Sequence, residues 1–285
     1  MCDARLLTRL SVGRDACALS CAADIPLPRT QNRVIRCEHV ATPRPGRFTS
    51  MSHLPPFLPT EAHRVTSPSA LRLARRYRRT EIYIPSLNRT VDTAHIPAEQ
   101  RSRKQPPLCF LHGFDSSSFD FRKLLPYVEE NCEAWAVDLV GWGFSDHSLY
   151  LHEPQLPLGP GVKCEHLYQF WKEQIGRPMC LVGVSLGGAA AMDFALRHPE
   201  AVDRLVLSSA QGYIDGLGAL SRLPSVMAKL GVQILRTEVL RRYANGLAYH
   251  NKSADVEQAM IVGRLHTFLP GDVIIHGVKI RCGGN

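Results

Sequence analysis

The hydrophobic positions of the chain form short apolar runs that alternate with segments of helical periodicity. Short apolar runs are typical of buried strands, and apolar positions three or four residues apart indicate amphipathic helices. Strands that alternate with helices predict a mostly parallel sheet with helices on both faces. The expected strands are 80–85, 106–114, 132–143, 178–184 and 202–210, and the expected helices are 118–130 (kinked or shortened by Pro126), 165–175 and 186–198.

From residue 219 the strand pattern stops. Residues 219–249 and 253–267 carry helical periodicity only, and Ser253 is a candidate N-cap of the second segment. A helical insertion after several strand–helix units is typical of a lid. We therefore expect a helical lid here, whose apolar side chains favour an acyl or otherwise apolar substrate: Met227, Leu230, Ile234 and Leu240.

The N-terminal segment differs from the rest in composition. Residues 1–80 hold 14 Arg, no Lys and 5 acidic residues, and no periodic apolar pattern persists up to about residue 79. An Arg-rich, Lys-free and Pro-broken leader is typical of an organelle transit peptide. We expect import into the plastid, with the mitochondrion as second choice; the alternative is an unstructured basic tail that carries no address.

Most of the positive charge lies in this leader. The whole chain has a formal net charge of +8, but residues 81–285 hold 20 basic and 21 acidic residues. A nucleic-acid-binding protein would need a basic face on its folded body. We therefore expect no nucleic-acid partner. The sequence does not determine the oligomeric state.

The sequence also argues against membrane spans, disulfide frameworks and metal sites. No stretch approaches the roughly 20 uncharged apolar residues that a membrane helix needs. The nine cysteines form no CxxC pair and no Cys/His spacing of a metal site. We expect free thiols, no metal and no cofactor.

The candidate nucleophile is Ser185, in the stretch LVGVSLGGAAA at 181–191. A Gly-x-Ser-x-Gly motif alone is weak, but this one joins an expected strand to an expected helix. A serine on such a turn projects its hydroxyl above the carboxyl end of the sheet. Gly183 and Gly187 are expected there because a Cβ at either position would crowd the strained backbone.

A second motif, FLHGF at 110–114, supplies the candidate oxyanion loop. In sites of this type, one donor is the backbone N–H after the nucleophile, here Leu186, and the other comes from the loop after an earlier strand. Phe114 is the natural candidate for the second donor. His112, beside Gly113, could be mistaken for the catalytic base, and we interpret it as a turn residue that positions the loop.

The chain resembles the α/β-hydrolase superfamily, and most of all the plant plastid proteins of that fold. The resemblance implies a serine hydrolase that acts on an ester or other acyl substrate, and it marks Asp138 and Asp146 as residues of a structural loop. The matching stretches cover about residues 80–270: LHGFDSS (111–117), DLVGWGFSD (138–146), HLYQFWKE (166–173), GVSLGG (183–188), HPEAVDRLVL (198–207) and GRLHTFLPG (263–271).

The resemblance also implies that the remaining triad residues lie elsewhere. The family places the acid after the strand that follows the lid, and the histidine after the last strand. Both are expected beyond residue 285, so we predict a C-terminally truncated chain, from alternative splicing or an incomplete gene model, that hydrolyses esters poorly or not at all. Asp215 and His266 are weaker substitutes, His250 and His276 are the other later histidines, and His198 is expected to end its helix.

Four segments follow from these interpretations. They are a leader at 1–75, an α/β-hydrolase core at 76–215, a lid at 216–271 and a divergent tail at 272–285. The favoured function is a serine hydrolase with a small-molecule substrate. The alternative is a catalytically inactive binding or regulatory isoform, whereas a dinucleotide-binding protein is disfavoured because no G-x-G-x-x-G follows a strand.

Overall fold

A computed structural model describes most of the chain downstream of residue 53. The described residues are 54–101, 105–148, 159–211, 234, 237–248 and 254–268. Their centre is a six-stranded mixed sheet with the strand order β1-β2-β4-β3-β5-β6. The strands are β1 (Arg78–Ile84), β2 (Arg89–Ile96), β3 (Leu108–Leu111), β4 (Ala134–Val137), β5 (Met179–Val184) and β6 (Val202–Ser208).

The expected mostly parallel sheet is confirmed. Strands β4, β3, β5 and β6 are parallel neighbours, whereas β1 and β2 form an antiparallel pair at one side. The β2 strand was missed because its buried positions include the polar residues Thr93 and His95. Its sequence, RTVDTAHI, therefore lacks the apolar run that marks the other strands.

The helices cover both faces of the sheet, as expected. They are α1 (Pro68–Arg76), α2 (Leu125–Glu129), α3 (Pro160–Phe170, continued by a π-turn to Ile175), α4 (Leu186–Arg197), α5 (Glu238–Ala248) and α6 (Ala254–Val262). The helix expected at 118–130 is divided into a 3₁₀ segment, Ser118–Arg122, and the short α2 around Pro126. Helix α3 begins five residues before the predicted start.

Alternation along the strands divides most of the described interior into two large apolar clusters. In β3, Phe110 packs on one face with Leu73 of α1. Its neighbours Cys109 and Leu111 pack on the other face with Phe170 of α3. Both faces are buried, which explains why the central strands read as continuous apolar runs.

The last part of the expected leader is folded, which corrects the boundary at residue 75. Residues 54–75 include a 3₁₀ segment, Thr60–Arg64, and most of α1. Buried positions of α1 and the residue after it follow helical spacing, namely Ala70, Leu73, Ala74 and Tyr77. The surrounding arginines and prolines obscured this pattern in the sequence.

Two helices of the expected lid are described, α5 and α6, followed by a 3₁₀ segment, Leu265–Phe268. Ser253, Met227 and Leu230 lie outside the described residues. Ile234 is exposed, so it does not provide the expected apolar lining. None of the described helices combines the length and the apolar character needed to cross a bilayer.

Candidate active site

Ser185 lies on the turn that joins β5 to α4. Its backbone adopts φ 52° and ψ −118°, a region that L-residues rarely occupy. The amide of Ser185 donates to Ser208 O at 3.0 Å, and its carbonyl accepts from Gln211 N at 2.9 Å. The carboxyl end of β6 therefore braces the turn from the side, and the serine is half-buried rather than enclosed in the sheet.

Close backbone contacts explain the glycines on each side of this serine. A Cβ on Gly183 would lie 2.6 Å from Gly187 O, and a Cβ on Gly187 would lie 2.4 Å from both Leu111 O and His112 O. Real Cβ atoms essentially never approach this closely, and the obstructing atoms belong to the backbone. The first turn of α4 consequently packs directly against the end of β3.

The loop after β3 passes beside the serine. A Cβ on Gly113 would lie 3.3 Å from Ser185 Cβ. Phe114 follows with 42% of its surface exposed, whereas Leu186 is buried. These contacts bring the two segments of the expected oxyanion hole together. The orientation of the Phe114 and Leu186 N–H groups toward one point stays a prediction.

His112 is buried and engaged within its own loop. Its Nδ1 lies 2.8 Å from Gly113 O, and its ring packs at 5.6 Å from the Trp142 ring. Its Nε2 lies 3.4 Å from Asp138 Oδ1, without the geometry of a hydrogen bond. These contacts favour the interpretation of His112 as a residue that holds the loop.

Asp138 organises the loops beneath the site. Its Oδ1 accepts hydrogen bonds from Ser118 N at 2.8 Å and from Ser118 Oγ at 2.5 Å. Its Oδ2 accepts from Phe144 N at 2.9 Å and from the Tyr77 hydroxyl at 3.3 Å. Burial, and then the Asp138 charge, raises the pKa of Tyr77, so the hydroxyl stays protonated and donates. These contacts support the structural role that the resemblance implied.

Asp146 also serves its own turn. Its carboxylate accepts from the amide of Ser148 at 2.8 Å and from the hydroxyl of the same residue. This is the local pattern of an Asx turn. Both carboxylates of the DLVGWGFSD motif therefore accept hydrogen bonds that hold loops of the protein.

A proton acceptor for Ser185 is not found in the described part of the chain. Within those residues, Ser185 Oγ has no hydrogen-bond partner. His198 ends α4 as expected and stacks on Tyr168 with ring centroids 4.0 Å apart. Asp215 lies outside the described residues, as does the side chain of His266. The improvised triad thus stays a prediction.

A contact that the sequence analysis missed joins the predicted lid to the loop after β3. Arg241 of α5 donates through Nη2 to the carboxylate of Asp115, the residue that follows Phe114. The two residues are 126 positions apart in the chain. Asp115 belongs to the LHGFDSS stretch, but Arg241 lies outside the matching stretches. No local sequence signal could have paired them.

Comparison with known proteins relates the chain to the alpha/beta hydrolase fold. The sequence profile of the alpha/beta hydrolase fold matches residues 106–235. The chain is 39% identical over 221 residues to the alpha/beta hydrolase domain-containing protein VTE7 of Arabidopsis thaliana, covering 76% of this chain and 65% of that protein. It is 29% identical over 134 residues to the chloroplastic pheophytinase of Arabidopsis thaliana, covering 37% of this chain and 27% of that protein. The chain thus spans less than two thirds of the length of either relative.

Solved structures give the same fold. A probable hydrolytic enzyme from Pseudomonas aeruginosa PAO1 superposes with a TM-score of 0.56 and 18% identity, covering 69% of this chain and 62% of that one. The naproxen esterase of Bacillus subtilis superposes with a TM-score of 0.52 and 18% identity, covering 77% of this chain and 72% of that one. At this level of identity the likeness concerns the fold alone, and it confirms the expected fold class.

Proposed function

The chain belongs to the α/β-hydrolase fold superfamily, and on that premise we propose that it is a serine hydrolase acting on an ester or other acyl bond. Ser185 is the proposed nucleophile, and the backbone N–H groups of Leu186 and Phe114 are the proposed oxyanion donors. The observation that carries the proposal is the strained backbone of Ser185 at the end of β5, with Gly113 packed beside it. Such strain is costly and is retained at functional sites.

The proposed reaction uses the serine in two steps. Ser185 Oγ attacks the acyl carbon and its proton passes to a general base, while the carbonyl oxygen becomes an oxyanion. The two N–H groups stabilise that charge, and the N-terminus of α4 adds a favourable dipole. Collapse of the intermediate expels the alcohol, and water then releases the acid. The base and its acidic partner are proposed to come from residues outside the described part of the chain.

The proposed substrate is a small molecule with an apolar or acyl portion. A serine nucleophile favours the hydrolysis of ester or other acyl bonds. Epoxide hydrolysis and dehalogenation in this fold would instead use an aspartate as the nucleophile. Relatives of the chain include a protein named as a (lyso)-N-acylphosphatidylethanolamine lipase in Mus musculus, 27% identical over 135 residues. Phe114 adds an exposed aromatic side chain beside the serine.

We further propose that the protein acts in the plastid, with the mitochondrion as the alternative. The Arg-rich leader supports import, and one plant relative carries a chloroplastic name. Since residues 54–76 pack into the core, the import signal is assigned to the residues before them. A fluorescent protein fused to residues 1–53 is expected to collect in plastids, and a diffuse cytosolic signal would contradict this assignment.

A second candidate function is that of a binding or regulatory protein without turnover. The observation that favours it is the absence, among the described residues, of a hydrogen-bond partner for Ser185 Oγ. A serine hydroxyl is a weak nucleophile without a base in hydrogen-bond reach. Such a protein would keep the pocket and bind an acyl ligand without cleaving it.

A covalent probe separates the two candidates. The full chain is incubated with an alkyl fluorophosphonate, and the adduct is located by mass spectrometry of tryptic peptides. A serine hydrolase is labelled at Ser185, Ser185→Ala is not labelled, and Ser208→Ala, the matched control on the neighbouring strand end, is labelled like the unmodified chain. An adduct elsewhere would overturn the proposed nucleophile, and no adduct together with binding of a fatty acid would favour the second candidate.

A further inference from the structure

We propose that Arg241 is a positioning residue that holds the oxyanion loop through its ion pair with Asp115. The inference rests on the proposed function, because the loop matters for catalysis only if Phe114 donates to an oxyanion. In this arrangement helix α5 of the predicted lid must be docked for the loop to keep its geometry. The lid would then complete the site as well as cover it.

On the loop side, the anchoring point is adjacent to the proposed donor. Asp115 follows Phe114 directly and adopts φ 50°, a left-handed conformation that side-chain-bearing residues adopt at a cost. Only 13% of its side chain is exposed. A strained backbone conformation persists where the surrounding structure stabilises it. The ion pair between the Asp115 carboxylate and Arg241 connects this backbone to α5 of the predicted lid.

On the lid side, one guanidinium contacts both the loop after β3 and the end of α6. Arg241 donates through Nη2 to Asp115 Oδ2 and through Nη1 to Gly263 O at 3.1 Å. Gly263 lies at the end of α6, where its amide donates to Ala259 O at 2.9 Å. With 14% of its side chain exposed, Arg241 is largely shielded from water, so its charge is weakly screened.

The end of α6 is itself fixed to the body of the protein. Val262 and Leu265, on either side of Gly263, are almost completely buried in the apolar cluster that includes Phe110 of β3. The folded N-terminal segment contributes Leu58 and Ala62 to the same cluster. Arg241 therefore connects the loop to a rigid support.

Loss of the pair should loosen the loop more than its surroundings. The loss of a shielded ion pair costs more than the loss of an exposed one, because the charges of a shielded pair are weakly screened by water. The affected backbone carries the Phe114 N–H, and oxyanion stabilisation depends on the placement of such donors. The expected defect is in the chemical step rather than in ligand binding.

The neighbouring arginine offers a matched control. Arg242 has half of its side chain exposed and pairs with Glu238 and Glu257 on the outer side of the helix pair. It does not contact the loop after β3. Arg242→Ala removes the same charge from the same helix, so a comparison with Arg241→Ala separates the pair with Asp115 from a general weakening of α5.

The first measurement is hydrogen exchange of the full chain, which needs no activity. In Arg241→Ala, amide exchange in a peptide spanning residues 112–117 should be faster by about fivefold or more, and Arg242→Ala should leave it unchanged. Asp115→Asn should have the same effect on the loop, and Arg241→Lys should restore part of the protection. Unchanged exchange in folded Arg241→Ala, or equal acceleration in Arg242→Ala, would overturn the inference. If Arg241→Ala does not fold, Arg241→Lys and Asp115→Asn decide the same question.

The second measurement follows the chemistry at Ser185. The rate constant for fluorophosphonate labelling should fall about tenfold or more in Arg241→Ala, because small misplacements of catalytic groups are costly. The apparent affinity for the probe should change less than twofold, and a double variant with Asp115→Asn should be no slower than either single variant. If the unmodified chain is not labelled, the proposed function has failed and hydrogen exchange alone decides the inference. If it is labelled and Arg241→Ala reacts at the same rate, the inference is wrong.

Discussion

Gly187→Ala tests whether the turn around Ser185 is as tightly packed as the structure indicates. The added methyl would lie 2.4 Å from Leu111 O and from His112 O, and neither backbone oxygen can rotate away. We take the upper end of the usual cost of overpacking, about 3 kcal/mol. Alanine recovers about 1 kcal/mol of helix propensity, because Gly187 lies in the first turn of α4. The expected net loss in the free energy of unfolding is about 2 kcal/mol.

The assay is urea unfolding followed by circular dichroism, with Gly246→Ala as the matched control. Gly246 also lies in a helix, α5, but a Cβ there would meet nothing within 4 Å. With a denaturant slope of about 2 kcal/mol per molar, Gly187→Ala should unfold about 1 M earlier in urea. Gly246→Ala should be stabilised by up to about 1 kcal/mol. If Gly187→Ala were as stable as the unmodified chain, the close contact between α4 and β3 would be refuted.

Two further predictions concern buried charged groups. Asp138→Asn should lower the free energy of unfolding by about 3 kcal/mol, because the carboxylate accepts four hydrogen bonds from buried donors. The control Asp203→Asn, at an exposed position, should change the free energy of unfolding little in the same urea assay. Equal losses in the two variants would argue against a specific role of Asp138. Burial lowers the pKa of Lys163 from its ordinary 10.5 to about 7, so between these values the unfolded chain binds this proton and the folded chain does not. Stability from this group therefore rises with pH, by up to about 1.4 kcal/mol per unit. Urea unfolding at pH 7.5 and 9.5 should show a smaller rise in the free energy of unfolding for Lys163→Met than for the unmodified chain. The control Lys172→Met, at an exposed position, should behave like the unmodified chain. An unchanged rise in Lys163→Met would contradict the prediction.

The core strands and the candidate nucleophile could be predicted because their signals are local. Strands β3 to β5 are largely buried on both faces, so they appear as apolar runs, and Ser185 stands between glycines at the end of β5. The N-terminal helix α1 was missed although its buried positions follow helical spacing, because arginines and prolines surround them. Strand β2 was harder to predict, because polar residues interrupt its apolar pattern. The hydroxyl of the buried Thr93 bonds to His166, 73 positions away, and no local pattern indicates that partner.

The amino-acid sequence was sufficient to predict the fold class, the turn that carries Ser185 and the glycines that the turn requires. These features depend on periodicity and backbone conformation within a few residues. The folded structure was needed to identify the hydrogen-bond partners of Asp138, to assign residues 54–76 to the core and to pair Arg241 with Asp115. These contacts join residues that are distant in the chain. The sequence offers many possible partners of the same chemical type for each such residue. The folded backbone determines which of them lies within contact distance.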